Sequence, residues 1–245
     1  MKNPRTVLII QARMGSSRLP GKSMMALAGA PLVQRIIERL KRCKRIDEIV
    51  LAVPATEENN VLIDLAVKNQ ISFFAGSEND LVDRYYYAAV YAKADIVVRI
   101  PADNPTPEPS EIDRIIDFHL AYNQSGFSSN LTSFYNSGYP DGIGAEIFNF
   151  RALEEIKLRQ KTPNQKEHVH LNFFDYANAI PFDESWCPVK TIQCPEEFRR
   201  PDLILDVNTK DQYDFMAKLY DYLYPLNNNF HITDIIKWYD EVYIK

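Results

Sequence analysis

The sequence predicts an α/β fold with a mainly parallel sheet flanked by helices. Short and wholly apolar runs, such as Val7-Leu-Ile-Ile10 and Ile49-Val-Leu-Ala-Val53, read as strands buried on both faces. They alternate with longer stretches of helical periodicity, the pattern of right-handed βαβ units. Gly-rich or charged loops follow two of these runs, where open α/β sheets bind their ligands. At 245 residues and 46% apolar, the chain can bury a full core as one domain.

Taken in order, Val7-Leu-Ile-Ile10 opens the sheet and runs into the loop Gln11-Ala-Arg-Met-Gly15-Ser-Ser-Arg18-Leu-Pro-Gly21-Lys22. Pro31 then suits the start of a helix whose stripe Leu32, Val33, Ile36, Ile37 and Leu40 extends to Lys41. Ile49 to Val53 forms the second strand, stopped by Pro54. A helix over 57–69, a strand over 71–75 and a helix over 78–93 follow, the last with Leu81, Val82, Tyr85, Ala88, Ala89 and Ala92 on one face. Ile96-Val-Val-Arg-Ile100 is the fourth strand and leads directly to Asp103. A helix over 110–122, with Ser110 as its N-cap, closes this half.

Beyond Asn123 the rhythm changes. Residues 126–136 are rich in Ser and Asn, and 139–148 mix turn residues with a strand. Helices are expected over 151–160 and 167–177, and a strand over 186–193. A short strand over 203–209, ending in polar residues, and helices over 210–224 and 233–243 finish the chain. We read one domain over 1–245: a first half over 1–124, an elaboration over 125–200, and a final strand with helices over 201–245.

A net charge of −5 argues against a nucleic-acid partner. Residues 1–45 nevertheless concentrate Lys and Arg against a single acid, Glu38, which suits a small anionic ligand. Cys43, Cys187 and Cys194 contain no C-x-x-C pair, which argues against a disulfide framework or zinc site and fits a reducing cytosol. No apolar run is long enough to span a membrane, and no signal-peptide pattern opens the sequence. A cytoplasmic location is therefore expected.

The loop carries the chemistry. Gly15 and Gly21 let the backbone approach a ligand, and Arg13, Arg18 and Lys22 supply fixed cations for a polyanion such as a triphosphate. The plain alternative is a solvated basic turn. A P-loop is disfavoured, because Gly15 to Lys22 has one residue too many and Gly29-Ala-Pro31 interrupts any following helix. No G-x-G-x-x-G follows the first strand, so a dinucleotide site is excluded too. His119, His168, His170 and His231 show no nucleophile-base spacing with the cysteines.

The stretch Gln11-Ala-Arg13-Met-Gly15-Ser16-Ser17-Arg18-Leu19-Pro20-Gly21-Lys22 resembles the signature of the cytidylyltransferase family that includes spore-coat polysaccharide biosynthesis proteins. The core is shared with CMP-sugar-acid synthetases for 3-deoxy-manno-octulosonate and acylneuraminate. The likeness continues through Asp80-Leu-Val-Asp83-Arg84-Tyr85, Val98-Arg99-Ile-Pro-Ala-Asp103, Asp141-Gly-Ile-Gly-Ala-Glu146 and Glu167-His168-Val169.

The resemblance implies a nucleotide-diphospho-sugar-transferase-like fold and transfer of CMP from CTP to a small-molecule acceptor, in polysaccharide or capsule synthesis. It implies a triphosphate loop of Gln11, Ala12, Arg13, Gly15, Ser16, Ser17, Arg18 and Lys22, with Lys22, Arg13 and Asp103 as the catalytic set. Pro54, Thr56, Gly76, Asp80 and Arg84 would help bind the nucleotide. Asp103 would bind Mg²⁺, with Asp206 as second ligand or as a structural acid at a strand end. Asp141, Glu146, Glu167 and His168 are acceptor-site candidates, each also readable as a surface residue, and Asp83 with Arg84 is also readable as a helix ion pair. A homodimer through 125–200 is expected.

Two departures stand out. Gly144 sits where relatives often carry a second acid, an apparent opening for a more anionic acceptor; Asn208 sits where they carry Asp. These changes keep a non-catalytic nucleotide-binding regulator as the alternative. A glycosyltransferase of related fold lacks its D-x-D motif here.

Overall fold

The computed structural model describes residues 3–159 and 162–245. Its strands are β1 (Thr6–Gln11), β2 (Ala26–Leu27), β3 (Ala30–Pro31), β4 (Glu48–Pro54), β5 (Ser72–Gly76), β6 (Ile96–Pro101), β7 (Phe127–Ser129), β8 (Glu146–Asn149), β9 (Phe174–Asp175), β10 (Ile180–Pro181) and β11 (Val189–Lys190). The helices are α1 (Leu32–Leu40), α2 (Asn60–Lys68), α3 (Leu81–Ala92), α4 (Pro109–Tyr122), α5 (Phe150–Leu158), α6 (Pro163–Glu167), α7 (Lys210–Leu226) and α8 (Ile232–Trp238).

Seven strands form one sheet in the order β11-β7-β8-β6-β1-β4-β5. β1 pairs in parallel with both β4 and β6, and β5 extends β4 in parallel. β8 then runs antiparallel to β6 and β7. The predicted mainly parallel α/β sheet is therefore present. Val7, Leu8, Ile9 and Ile10 are all fully buried because both faces of β1 are covered. Leu8 and Ile10 pack with α1, α2, α4, α7 and α8, while Val7 and Ile9 pack with α3 and α5. The two-residue period of a strand thus divides one apolar run between two cores.

The chain leaves β1 for β4 on one side and later returns to β6 on the other. Such a reversal opens a crevice beyond the carboxyl ends of the two middle strands. Gln11 and Pro101 end β1 and β6 side by side, so the basic loop and Asp103 enter the same crevice. A two-stranded hairpin, β2 with β3, then leads from the loop into α1.

Several expectations needed correction. Residues 167–177 are not one helix: α6 ends at Glu167, a 3-10 turn covers Val169–Asn172, and β9 begins at Phe174. The helix pattern failed because Thr162 and Gln165 form a capping box one turn earlier, with Pro163 at the first helical position. Phe173 and Phe174 instead fill the aromatic cluster around Phe127, Phe134 and Phe148. Ser110 does not cap α4, because Pro109 occupies its first turn and Glu108 the cap position. Residues 203–209 form only one bridge, between Ile204 and Asp141. The Ser-rich stretch yielded β7, unforeseen because Ser128 and Ser129 are buried polar residues. Among the described residues, no helix is long and apolar enough to cross a membrane.

Candidate active site

The loop after β1 is shaped by its own carbonyls. Met14 O accepts from the backbone of Ser16 (2.9 Å) and Gly21 (3.0 Å), and Gly21 adopts φ +71°, a conformation glycine tolerates without strain. Met14 N donates to Asn59 Oδ1 at 2.9 Å, and Asn59 Nδ2 donates to Thr56 Oγ1 at 2.7 Å. The buried Asn59 therefore ties the basic loop to the end of β4, where Pro54 and Gly76 face each other in register. Ala12 continues the β1 ladder, donating to Ala52 O. Gly15, Ser17 and Arg18 remain exposed.

Lys22 reaches across the crevice. Its Nζ donates to Asp103 Oδ2 at 3.0 Å and to Val207 O at 2.8 Å, with Asn208 Oδ1 at 3.4 Å. Arg18 donates to the same Asn208 oxygen at 2.9 Å. The Asn208 amide nitrogen donates to Asp206, whose other oxygen accepts from Gln212 Nε2 at 3.1 Å. Gln212 also belongs to the capping box of α7 with Thr209. An amide at position 208 can accept from cations and donate to an acid at once, which a carboxylate cannot. Asn208 and Gln212 were not among the sequence candidates.

Three acids converge here. Burial, then Asp206 and Asp103, push the Asp141 carboxyl up to about 7. Burial and Asp103 raise Asp206, against the opposing charge of Lys22. A carboxyl whose folded pKa exceeds its unfolded value favours folding while protonated and opposes it once ionised. The chain is therefore expected to lose stability as pH rises from about 4 to about 7, by up to about 4 kcal/mol from Asp141. Chemical denaturation in EDTA across that range should show a flatter profile for Asp141→Asn, and identical profiles would refute the coupling.

On the other side of the loop, Arg13 pairs with Glu167 at 2.7 Å, both side chains being about half exposed. His168 lies beside them, its pKa lowered by burial and by Arg99, Arg13 and Arg18, against the opposing charge of Glu167. Gln11 Oε1 accepts from Arg99 Nε at 3.0 Å, and Arg99 in turn pairs with Glu146. Arg99 is 4% exposed and Glu146 0%, so Glu146 lies inside the protein and bears on the crevice through Arg99 and Gln11. Burial would depress the Arg99 pKa, but the neighbouring carboxylate holds it above its ordinary value. A lone charge within Ile96-Val-Val-Arg-Ile100 was the available sequence signal for this pair.

Arg84 is 3% exposed, and its Nε and Nη1 have no hydrogen-bond partner among the described residues. Burial, together with the charge of Arg13, lowers its pKa to about 10. Its Cγ lies beside Gly76, where an added Cβ would come within 3.3 Å. Asp80 caps α3 by accepting from Asp83 N at 2.9 Å, and Asp83 pairs with Lys157 rather than with Arg84.

Gly144 opens no acceptor space. A Cβ there would stand 2.1 Å from the Asn130 carbonyl oxygen, so the glycine is required by close backbone approach. Asn130 grips the same segment, its Oδ1 accepting from Ala145 N at 3.0 Å.

A family model described as cytidylyltransferase matches residues 7–230. The chain is 32% identical over 219 residues to the spore coat polysaccharide biosynthesis protein SpsF of Bacillus subtilis, covering 87% of this chain and 85% of that one. It is 27% identical over 182 residues to an 8-amino-3,8-dideoxy-manno-octulosonate cytidylyltransferase of Shewanella piezotolerans, covering 74% and 65%. Among solved structures, a cytidylyltransferase from Leptospira borgpetersenii superposes with a TM-score of 0.84 at 26% identity, covering 98% of this chain and 95% of that one.

Proposed function

Because the chain belongs to the cytidylyltransferase family, we propose that it moves CMP from CTP to a small acceptor that bears a nucleophilic oxygen, for a surface polysaccharide or capsule. The acceptor oxygen forms a bond to the α-phosphorus as the bond to the bridging oxygen of the β-phosphate breaks, and pyrophosphate leaves. The observation that carries this reading is the contact of Lys22 Nζ with Asp103 Oδ2 at the meeting of β1 and β6. A cation from the first loop and an acid from the fourth parallel strand there share one crevice.

In this reading Lys22, Arg13 and Arg18 take the triphosphate oxygens, where negative charge grows as pyrophosphate departs. The backbone of Gly15 to Ser17 wraps the phosphates. Arg84, with two unpartnered donors, offers them to the nucleotide beside Gly76. Arg99 fixes Gln11, so Glu146 acts as a positioning residue. The acceptor candidates flank the loop, Asp141 beside Asp103 and Asp206, and Glu167 with His168 beside Arg13.

Asp103 and Asp206 fit Mg²⁺, being hard oxygen donors whose neighbouring carboxyls repel one another. Among the described residues no three side chains form a closed metal cage, and Mg²⁺ typically takes one or two carboxylates together with substrate phosphates. When bound, the ion would neutralise phosphate oxygens and help orient the α-phosphate.

We place the protein in the cytoplasm as a homodimer, a state light scattering would test. The function is tested by pyrophosphate release from CTP across sugars, sugar acids and phosphorylated non-sugar acceptors. Release is expected with one class and only when Mg²⁺ is supplied. Folded protein that turns over none of them would overturn catalysis, and release that survives EDTA would overturn the metal.

A further inference from the structure

A second polar cavity lies apart from the crevice. Helix α1, the turn after it, the end of α7 and residues 228–230 enclose about 130 Å³. Arg35, Arg39 and Arg42 line it at helical spacing, on one face. Arg35 is fully engaged, with Leu27 O, Ala28 O and Glu38. Arg39 is 3% exposed and donates from Nε to Pro107 O (2.8 Å) and from Nη1 to Phe230 O (3.0 Å). Its Nη2 has no hydrogen-bond partner among the described residues, the Glu108 carboxylate standing 3.6 Å away. Arg42 Nη1 donates to Asn229 Oδ1 at 3.2 Å, but its buried Nη2 is likewise unpartnered. Among the described residues no carboxylate forms an ion pair with Arg42.

Arg39 and Arg42 therefore border one cavity, each with a buried donor that no acceptor among the described residues meets; Glu38 in the lining and Glu108 compensate Arg35 and Arg39, and the charge of Arg42 is left over. Buried donors of this kind are costly unless an acceptor satisfies them. Guanidinium edges are matched best by the oxygens of a planar or tetrahedral oxyanion. We propose that this cavity is a second anion site that takes a phosphoryl dianion, either inorganic phosphate or the phosphate of a small metabolite.

The site is connected to both walls of the crevice. Arg35 holds the hairpin turn that follows Lys22, through Leu27 O and Ala28 O. Arg39 holds Pro107 O, and the Tyr220 hydroxyl in the cavity lining donates to Pro105 O, both on the segment that follows Asp103. An anion that draws on Arg39 and Arg42 thus bears on the placement of Lys22 and Asp103.

Calorimetric titration of the full chain with inorganic phosphate tests this. In Lys22→Gln, where the crevice is weakened, one equivalent of phosphate is expected to bind. Adding Arg42→Gln should weaken that binding at least ~10-fold, the effect of one lost charge-assisted hydrogen bond. A parallel titration with glycerol 3-phosphate separates the sources: tighter binding assigns a metabolite phosphate, equal binding inorganic phosphate. Absence of binding in Lys22→Gln, or no change on adding Arg42→Gln, would overturn the site. Should Arg42→Gln fail to fold, selenate soaked into crystals of the unaltered chain gives a direct answer. An anomalous peak beside Arg39 and Arg42 is expected, and its absence overturns the proposal. Failure of CTP turnover leaves this outcome untouched, because the binding is read without the crevice lysine.

Discussion

Lys22→Ala is expected to lower pyrophosphate release from CTP at least ~100-fold, mostly in kcat. The size follows from preorganisation. Lys22 Nζ is held by Asp103 and Val207 O before any phosphate arrives, and its side chain is only 13% exposed. A charge fixed in a partly dry crevice costs no reorganisation when the transition state forms, so removing it forfeits most of its effect. Arg13 offers a useful contrast: its partner Glu167 is about half exposed, and pairs of that kind contribute little. Steady-state kinetics with the acceptor found active would check the loss. Near-normal turnover in Lys22→Ala would reject its assignment to the leaving phosphates.

Glu146→Ala is expected to destabilise the fold by about 3–5 kcal/mol, the range for stripping one partner from a buried ion pair. Arg99 would keep its charge inside the sheet with neutral partners such as Gln11 and Tyr85 but without the carboxylate. Urea denaturation monitored by circular dichroism reads the effect. A double variant, Arg99→Met with Glu146→Leu, should recover much of the stability, because apolar replacements remove the uncompensated charge. If the double variant is as unstable as the single one, the loss comes from packing and the electrostatic account is wrong. Activity should remain low in the double variant, since Gln11 there loses the guanidinium that orients it.

The parts of the molecule legible in the sequence are those where one physical signal dominates. β1, β4 and β6 are apolar on both faces, so their runs could be read directly. Lys22 and Asp103 follow the ends of two such runs, and parallel topology brings those ends to one crevice. Polar burial was less legible. The hydroxyls of Ser128 and Ser129 in this strand are met by His119 and Tyr176, partners from a helix and a later segment that the alternation of a strand does not report. Gly144 looked like a missing acid, yet it marks where the Asn130 backbone presses against the chain. Asn208 was visible as a substitution, but its double role between Asp206 and the two cations is a property of the fold.

The position of β1 also bears on how the protein is made. β1 lies inside the sheet, and its partners are supplied by the later residues 48–54 and 96–101. Pairings between residues far apart along the chain carry a large loop-closure cost and slow folding. The crevice is completed later still, since Asp206 is held by Gln212 in the first turn of α7. A nascent chain released before that turn would carry the cationic loop and both acids but lack the Gln212 amide that holds Asp206 in place.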